Sequence, residues 1–431
     1  MRPTLDALLR LGYAAAGAIA QTVTSLAPST NNKLVRTFAA RRGLLERYQQ
    51  WGAHGRDPGR KLLWLHAPSV GEGLQARPLI EIARARRPDV QIAYTHFSPS
   101  AEQFAGSLGA DFADYLPFDT ADNARACVAA LRPAAVVFSK LDVWPALTEA
   151  VARTDARLGM VSGTVAQNSG RLDGVAARLL RPAYSRMHLV GAVSDEDGAR
   201  LVTLGVPSSA VRVTGDTRYD QVWARARRAT RSSATLAPLR SDQPTLVAGS
   251  TWPADESVLL AAWVALRTSI PGARLIIAPH ELSRRHLDAI EQWAAGAQLD
   301  CQRMSNATPE TSVVLVDRMG VLGDLYGLAT VAYVGGGFHR AGLHSVLEPA
   351  AFGVPVLVGP LHHGSRDAGM LIAAGGAREV RDAQSASQAL LQWLGNPTAA
   401  TVAGAAAQQT VEDGLGAAER SWAIVEELLA G

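Results

Sequence analysis

Several residues in this chain combine a reactive side chain with a position where chemistry could use it. Glu72 stands in Ser69-Val70-Gly71-Glu72, directly after the apolar run Lys61–His66. A carboxylate just past a buried strand can act as a general base. S-x-x-E is also the spacing of a capping box, and spacing alone favours the cap. Glu348 repeats the pattern in Ser345-Val346-Leu347-Glu348. Spacing leaves it open between a cap and a carboxylate accepting hydrogen bonds from ribose hydroxyls. Ser250 and Thr251 precede Trp252-Pro253, where a hydroxyl capping a helix is the simpler reading and a hydroxyl facing a ligand the other. His280, in Ala278-Pro279-His280-Glu281, is either a neutral loop histidine or a donor to phosphate. His339, His344, His362 and His363 crowd one later stretch. Their spacings match no usual ligand set and no Asp-x-Asp is near, so no metal is expected.

The elements that must hold these residues alternate. Leu328–Val334 reads as a buried strand, followed by Gly335-Gly336-Gly337, where backbone can approach a ligand closely. Ser345 opens a helix, Val354–Val358 is a second strand, and Ser365-Arg366-Asp367 begins a helix that Gly375-Gly376 ends. In a parallel α/β sheet both loops fall at the carboxyl edge, beside helix N-termini of partial positive charge, so the natural ligand is an anion.

The first half has the same rhythm. Lys61–His66, Val90–Thr95, Ala134–Ser139, Leu158–Val161, Leu189–Val193 and Val211–Thr214 read as strands, and Glu72–Arg87 as a helix. Residues 221–244, basic and rich in serine and proline without an apolar period, read as a linker. The pattern restarts with strand Thr245–Gly249, helix Ala254–Thr268 and strands Ala273–Ala278 and Ser312–Val316. Ala399–Leu429 looks helical. The expected fold is α/β and GT-B-like: two Rossmann-type parallel-sheet domains facing a cleft, at 51–220 and 245–398, with a basic N-terminal segment at 1–50 and a C-terminal helix at 399–431. Sugar-nucleotide epimerases share this layout, so fold alone does not fix the reaction.

The chain's 431 residues, 48% of them hydrophobic and 19% charged, suit two folded domains. A pI near 9.0 suits anionic partners. No basic stripe interleaved with aromatics marks nucleic-acid binding, so a phosphorylated small molecule or lipid is favoured. Cys127 and Cys301 stand far apart in sequence and form neither a disulfide framework nor a zinc pattern. Leu11 to Asn32 carries no charge, is about long enough to cross a bilayer, and precedes Lys33, Arg36, Arg41, Arg42 and Arg47. A membrane-associated helix and a surface or core helix both fit.

Together RRGLLERY, WLHAPSVGEG, YLPFD, DVWP, GDTRYD, GSTWPADE, APHE and GGGFHRAGLHSVLEPAAFGVPVLVGP, running from Arg42 into the later half, resemble the transferases of 3-deoxy-D-manno-octulosonic acid (Kdo) in lipopolysaccharide synthesis. The resemblance implies a GT-B fold, CMP-Kdo as donor, a lipid A precursor (lipid IVA) as acceptor, and no cofactor. It implies work at an anionic membrane surface, the cytoplasmic face of the inner membrane, with an N-terminal anchor. It gives Glu72 the role of general base. Asp142 and Arg218 correspond to the acid and the cation that support the transition state. Donor contacts carry over to Pro279, His280, Met319, Gly320, Val321, Ser345, Val346, Leu347 and Glu348. Many members have Pro-Arg-His where this chain has Pro279-His280-Glu281, and a histidine-asparagine pair where it has His344-Ser345. A UDP-sugar transferase, an epimerase and a non-catalytic membrane scaffold are the rival readings.

Overall fold

The computed structural model describes residues 5–26, 33–232, 236–340 and 342–431. The chain divides into two compact units, Met1–Gln221 with Leu415–Gly431, and Val222–Gly414. In the first, β1 (Leu62–His66), β2 (Gln91–His96), β3 (Phe112–Tyr115), β4 (Ala135–Ser139), β5 (Arg157–Gly163), β6 (Leu189–Ala192) and β7 (Val211–Val213) form a sheet in the order β3-β2-β1-β4-β5-β6-β7. In the second, β8 (Thr245–Thr251), β9 (Arg274–Pro279), β10 (Cys301–Arg303), β11 (Val313–Leu315), β12 (Val331–Val334), β13 (Val356–Val358) and β14 (Ala377–Glu379) run in the order β10-β11-β9-β8-β12-β13-β14. Every strand pairing is parallel. Strand order reverses between β1 and β4 in one sheet and between β8 and β12 in the other. Ligands of such sheets bind outside the carboxyl ends at those reversals.

Helices cover both faces, which is why the central strands β1 and β4 are buried at every position and mostly apolar. On one face of the first sheet Trp64, Val136, Phe138 and Met160 join one buried core. On the other, Leu63, Leu65, Val137 and Val161 pack with Trp422, Val425 and Leu428 of the helix Ala417–Ala430. The expected single C-terminal helix is therefore corrected. Pro397–Glu412 and Ala417–Ala430 are separate helices, broken at Gly416 with φ of 84°, and the second completes the first unit. Asp220 accepts from the backbone N–H groups of Gly416 (2.8 Å) and Ala418 (2.9 Å) and so caps that last helix.

Residues 221–244 are corrected as well. Arg218–Ser232 is helical, so the linker reading fails over its first half, while residues 233–235 lie outside those described. The edge strands β3, β10 and β14 were not expected. Their sequences Phe-Ala-Asp-Tyr, Cys-Gln-Arg and Ala-Arg-Glu have no buried apolar run, because an edge is only partly covered.

The helix Leu5–Leu26 lies on the first unit by a narrow seam. Tyr13 donates to Asp119 at 2.9 Å, and Gly17 is close enough to Thr120 that an added Cβ would stand 3.1 Å from it. Leu11 and Ile19 remain 68% and 66% exposed. Among the described residues no helix is long and apolar enough to cross a membrane. Residues 27–32 of the charge-free segment lie outside the described set. Two of the basic residues after it are occupied. Arg41 is buried, donating to the carbonyls of Leu116 and Phe97 (each 2.9 Å) with its guanidinium over the Phe97 ring, and burial lowers its pKa to about 10. Arg47 is paired with Asp114 at 2.6 Å. Neither is placed to meet headgroups.

His96, at the end of β2, is 1% exposed, and burial pushes its pKa down to about 4. The unfolded chain takes up this proton near the ordinary value of about 6.5. The neutral ring's stabilisation is therefore complete above about pH 6.5 and is lost as pH falls toward 4, about 3 kcal/mol in all. Urea unfolding is expected to show stability dropping through this window, with a flatter slope in His96→Gln. An unchanged slope in the variant would clear His96 of the effect.

Candidate active site

In the first unit the helix Val70–Arg86 starts immediately after the β1 loop. Ser69 occupies its N-cap position with extended backbone, yet its side chain makes no cap bond. The hydroxyl donates to the Glu72 carboxylate instead. The capping-box reading of this S-x-x-E therefore fails, and Glu72 is held as a carboxylate at the helix start, where the helix dipole favours negative charge. Lys140 Nζ lies 3.6 Å from Glu72 Oε1, and Ser139 donates to the Glu72 main-chain carbonyl at 3.0 Å. Ser139 ends β4 and Lys140 follows it, so Glu72 sits at the strand-order reversal. Lys140 has φ of 65°, a left-handed conformation that strands avoid and functional sites tolerate.

Asp142 points to His66 and Trp144. Its Oδ2 is 3.2 Å from His66 Nε2 and accepts from Trp144 Nε1 at 2.9 Å. Thr95 Oγ1 accepts from Trp64 Nε1 and lies 2.9 Å from His66 Nδ1. The assignment that sets no lone pairs face to face has Thr95 donating to Nδ1 and the Nε2 proton on Asp142. Burial pushes Asp142 up, but the bonds from His66 and Trp144 and the charge of Arg171 together outweigh it, and its pKa lies below the ordinary carboxylate value. Arg218 is clamped by Asp216, with Nε at 2.8 Å and Nη2 at 2.7 Å from Oδ2. Asp216 also accepts from Gln75 Nε2 at 3.1 Å. Gln75 belongs to the same helix as Glu72, so Arg218 is tied to the base candidate through two side chains.

In the second unit the penultimate residue of β8, Ser250, has φ of 53°. Neither hydroxyl caps the helix Pro253–Ser269. Thr251 donates to Glu256 at 2.7 Å, and Trp252 holds the N-cap position. Asp255, fully buried, accepts from the N–H groups of Trp252 (2.9 Å), Gly336 (2.8 Å) and Phe338 (3.1 Å) and from the Tyr333 hydroxyl (2.8 Å). It ties the β8 loop to the triple glycine after β12, across the second reversal. Gly337 needs its missing side chain: an added Cβ would lie 2.4 Å from the Gly359 nitrogen.

The Trp252 indole stacks on two imidazoles, His280 with ring centroids 4.3 Å apart and His339 with 4.1 Å. Its N–H is 3.4 Å from His344 Nε2, and burial lowers the His344 pKa. His280 is thus neither a lone loop histidine nor free of neighbours, but part of a wall of four rings. His362 and His363 belong elsewhere, near Glu379. His362 Nε2 is 2.7 Å from the Glu379 carboxylate, which Arg381 also pairs. These two histidines and Glu379 bring ligand-type atoms within 4.8 Å of one another. The arginine on the carboxylate and the buried, unpartnered His362 Nδ1 leave the set without the support a metal-bound imidazole normally has.

Of the expected donor contacts, Pro279 ends β9 in the interior, and Val346 and Leu347 are core side chains that could offer only main chain. Met319 is 75% exposed and Gly320 has φ of 85°. The helix Leu347–Ala350 starts after Val346, so Ser345 and Glu348 form no capping box. Glu348 has no hydrogen-bond partner among the described residues. Burial pushes its pKa up against the pull of Arg225. Lys140, Asp216, Asp255, Trp252 and Arg225 were missed. Only Asp255, an acid three residues after an N-cap and Pro253, carried a readable sign.

Two doubly wound parallel sheets with polar clusters at their reversals are the GT-B-like architecture of sugar-nucleotide enzymes. Solved structures of that fold include a UDP-GlcNAc 2-epimerase from Neisseria meningitidis bound to UDP-GlcNAc (TM-score 0.61, 16% identity, covering 86% of this chain and 100% of that one). A glycosyltransferase from Rickettsia africae is similar (TM-score 0.56, 12% identity, covering 86% and 99%). The family model described as 3-deoxy-D-manno-octulosonic-acid transferase (kdotransferase) matches residues 37–221. A 3-deoxy-D-manno-octulosonic acid transferase of Bordetella pertussis is 29% identical, covering 89% of this chain and 91% of its own. One from Haemophilus influenzae is 28% identical, covering 75% and 76%. The chain is thus similar over three quarters or more of its length to 3-deoxy-D-manno-octulosonic acid transferases, and the matched family model falls within its first unit.

Proposed function

We propose that this chain is a Kdo transferase that takes CMP-Kdo as donor and a lipid A precursor (lipid IVA) as acceptor, in an inverting transfer without a sugar–enzyme intermediate. The likeness to 3-deoxy-D-manno-octulosonic acid transferases supports the transferase class and its place in lipopolysaccharide synthesis. Glu72 removes the proton from an acceptor sugar hydroxyl, the oxygen attacks the anomeric carbon of Kdo, and CMP departs from the opposite face. The observation that carries this reading is Glu72 itself: a carboxylate at a strand-order reversal, held by Ser69 and Lys140 and not consumed as a cap. Arg218, fixed by Asp216, and Asp142, kept ionised by His66 and Trp144, supply electrostatic support as charge separates. The first unit takes the acceptor and the second the donor, with Glu348 open toward ribose hydroxyls. A monophosphate leaving group needs no divalent clamp of the kind a diphosphate uses.

The enzyme works on a membrane surface, at the cytoplasmic face of the inner membrane. The exposed apolar side chains of the helix Leu5–Leu26 support an interfacial position, with Arg36 and Arg42, both exposed, facing anionic headgroups. With acceptor in anionic vesicles, CMP-Kdo is expected to yield a product heavier by Kdo in mass analysis, and UDP-sugars none. Deleting residues 1–32 should lower activity on vesicles while CMP binding persists. Turnover of a UDP-sugar in place of CMP-Kdo would refute the donor, and full vesicle activity without residues 1–32 would refute the anchor.

A further inference from the structure

The helix Arg218–Ser232, in the stretch that reads as a linker, carries Arg225. Its Nε donates to Asp324 Oδ1 at 2.8 Å and its Nη2 to the Gly320 carbonyl at 3.1 Å. The guanidinium lies against Gly323, where an added Cβ would come within 2.4 Å of Cζ. One side chain thus grips three points of the turn from Gly320 to Asp324. Gly320 is in the left-handed region, so the turn's shape depends on such anchoring. Arg225 is also the cation whose charge acts on Glu348, while Asp324 opposes it and the buried Tyr326 feels the Glu348 charge.

We propose that Arg225 is a positioning residue for the nucleotide. It fixes the Met319-Gly320-Val321 main chain against which a cytidine monophosphate would rest, and its charge acts on Glu348, the acceptor for the ribose. This rests on the reading of 319–321 and Glu348 as donor contacts. Arg225 itself touches the turn, and acts on the ligand through it.

The test is calorimetric titration of the full chain with CMP across pH, together with kinetics. Arg225→Ala is expected to weaken CMP about ten- to a hundredfold, the range for bonds to charged groups. The KM for donor should rise with kcat within a few-fold, and Arg225→Lys should restore part of the loss. CMP affinity should fall as pH drops through the titration of Glu348. That fall should begin at higher pH in Arg225→Ala, and be absent in Glu348→Gln. Arg225→Met, which keeps the apolar stem, replaces the alanine variant if that one does not fold. Affinity within twofold of wild type, or a loss with no movement of the acidic limb and no rescue by lysine, overturns the inference. Failure of the unaltered chain to bind CMP overturns the donor reading and this inference with it.

Discussion

Glu72→Gln is expected to lower turnover by about 10²–10⁴-fold, the contribution of a positioned general base, with donor binding retained. The local structure should hardly notice. Ser69 makes no cap bond to the helix, and its hydroxyl can donate to the glutamine oxygen as it does to the carboxylate. What disappears is the contact with Lys140 at 3.6 Å, a partly exposed pair worth about 0–1 kcal/mol. The melting temperature should therefore stay close to that of the unaltered chain while single-turnover rates collapse. Activity within a few-fold of wild type would remove Glu72 from the mechanism. Asp142 would then be a poor substitute, because its oxygens are engaged by His66 and Trp144 and its lowered pKa makes it a weak base.

Asp255→Ala should have the largest effect on stability. Four donors converge on this buried carboxylate, three backbone N–H groups and the Tyr333 phenol. Truncation leaves them without partners, and breaking a buried charged network typically costs about 3–5 kcal/mol. Asn is no remedy, since its amide would present hydrogens to two of the donors. The denaturant midpoint of the second unit should fall, and CMP affinity with it, because the triple-glycine loop loses its tether. A change under about 1 kcal/mol in urea unfolding would mean that water or neighbouring carbonyls satisfy those groups.

Both predictions rest on details of unequal visibility in the sequence. The alternating strands and helices were legible because central strands of a parallel sheet are apolar on both faces, as in Leu62–His66 and Val331–Val334. The helix starts that carry Glu72 and Glu348 were placed for the same reason: they come after those strands. The roles of Ser69, Ser250 and Thr251 were not legible. A serine at N-cap and a glutamate three residues on satisfy the capping rule whether the hydroxyl turns to the backbone or to the carboxylate. Long-range pairs such as Arg225 with Gly320, or Asp220 with the last helix, leave no periodic trace at all. The histidines misled by proximity in sequence, since His339 and His344 join Trp252 whereas His362 and His363 join Glu379.

The helix Ala417–Ala430 has a consequence for how the chain is made. Its Trp422, Val425 and Leu428 close one face of a sheet whose strands were all synthesised before residue 214. The residues from 222 to 414, a continuous and self-contained unit, emerge from the ribosome in between. The later unit can thus fold while the earlier one still shows Leu63, Leu65 and Val137 to the surroundings. During translation that face of the first sheet stays uncovered until residues 417–430 arrive.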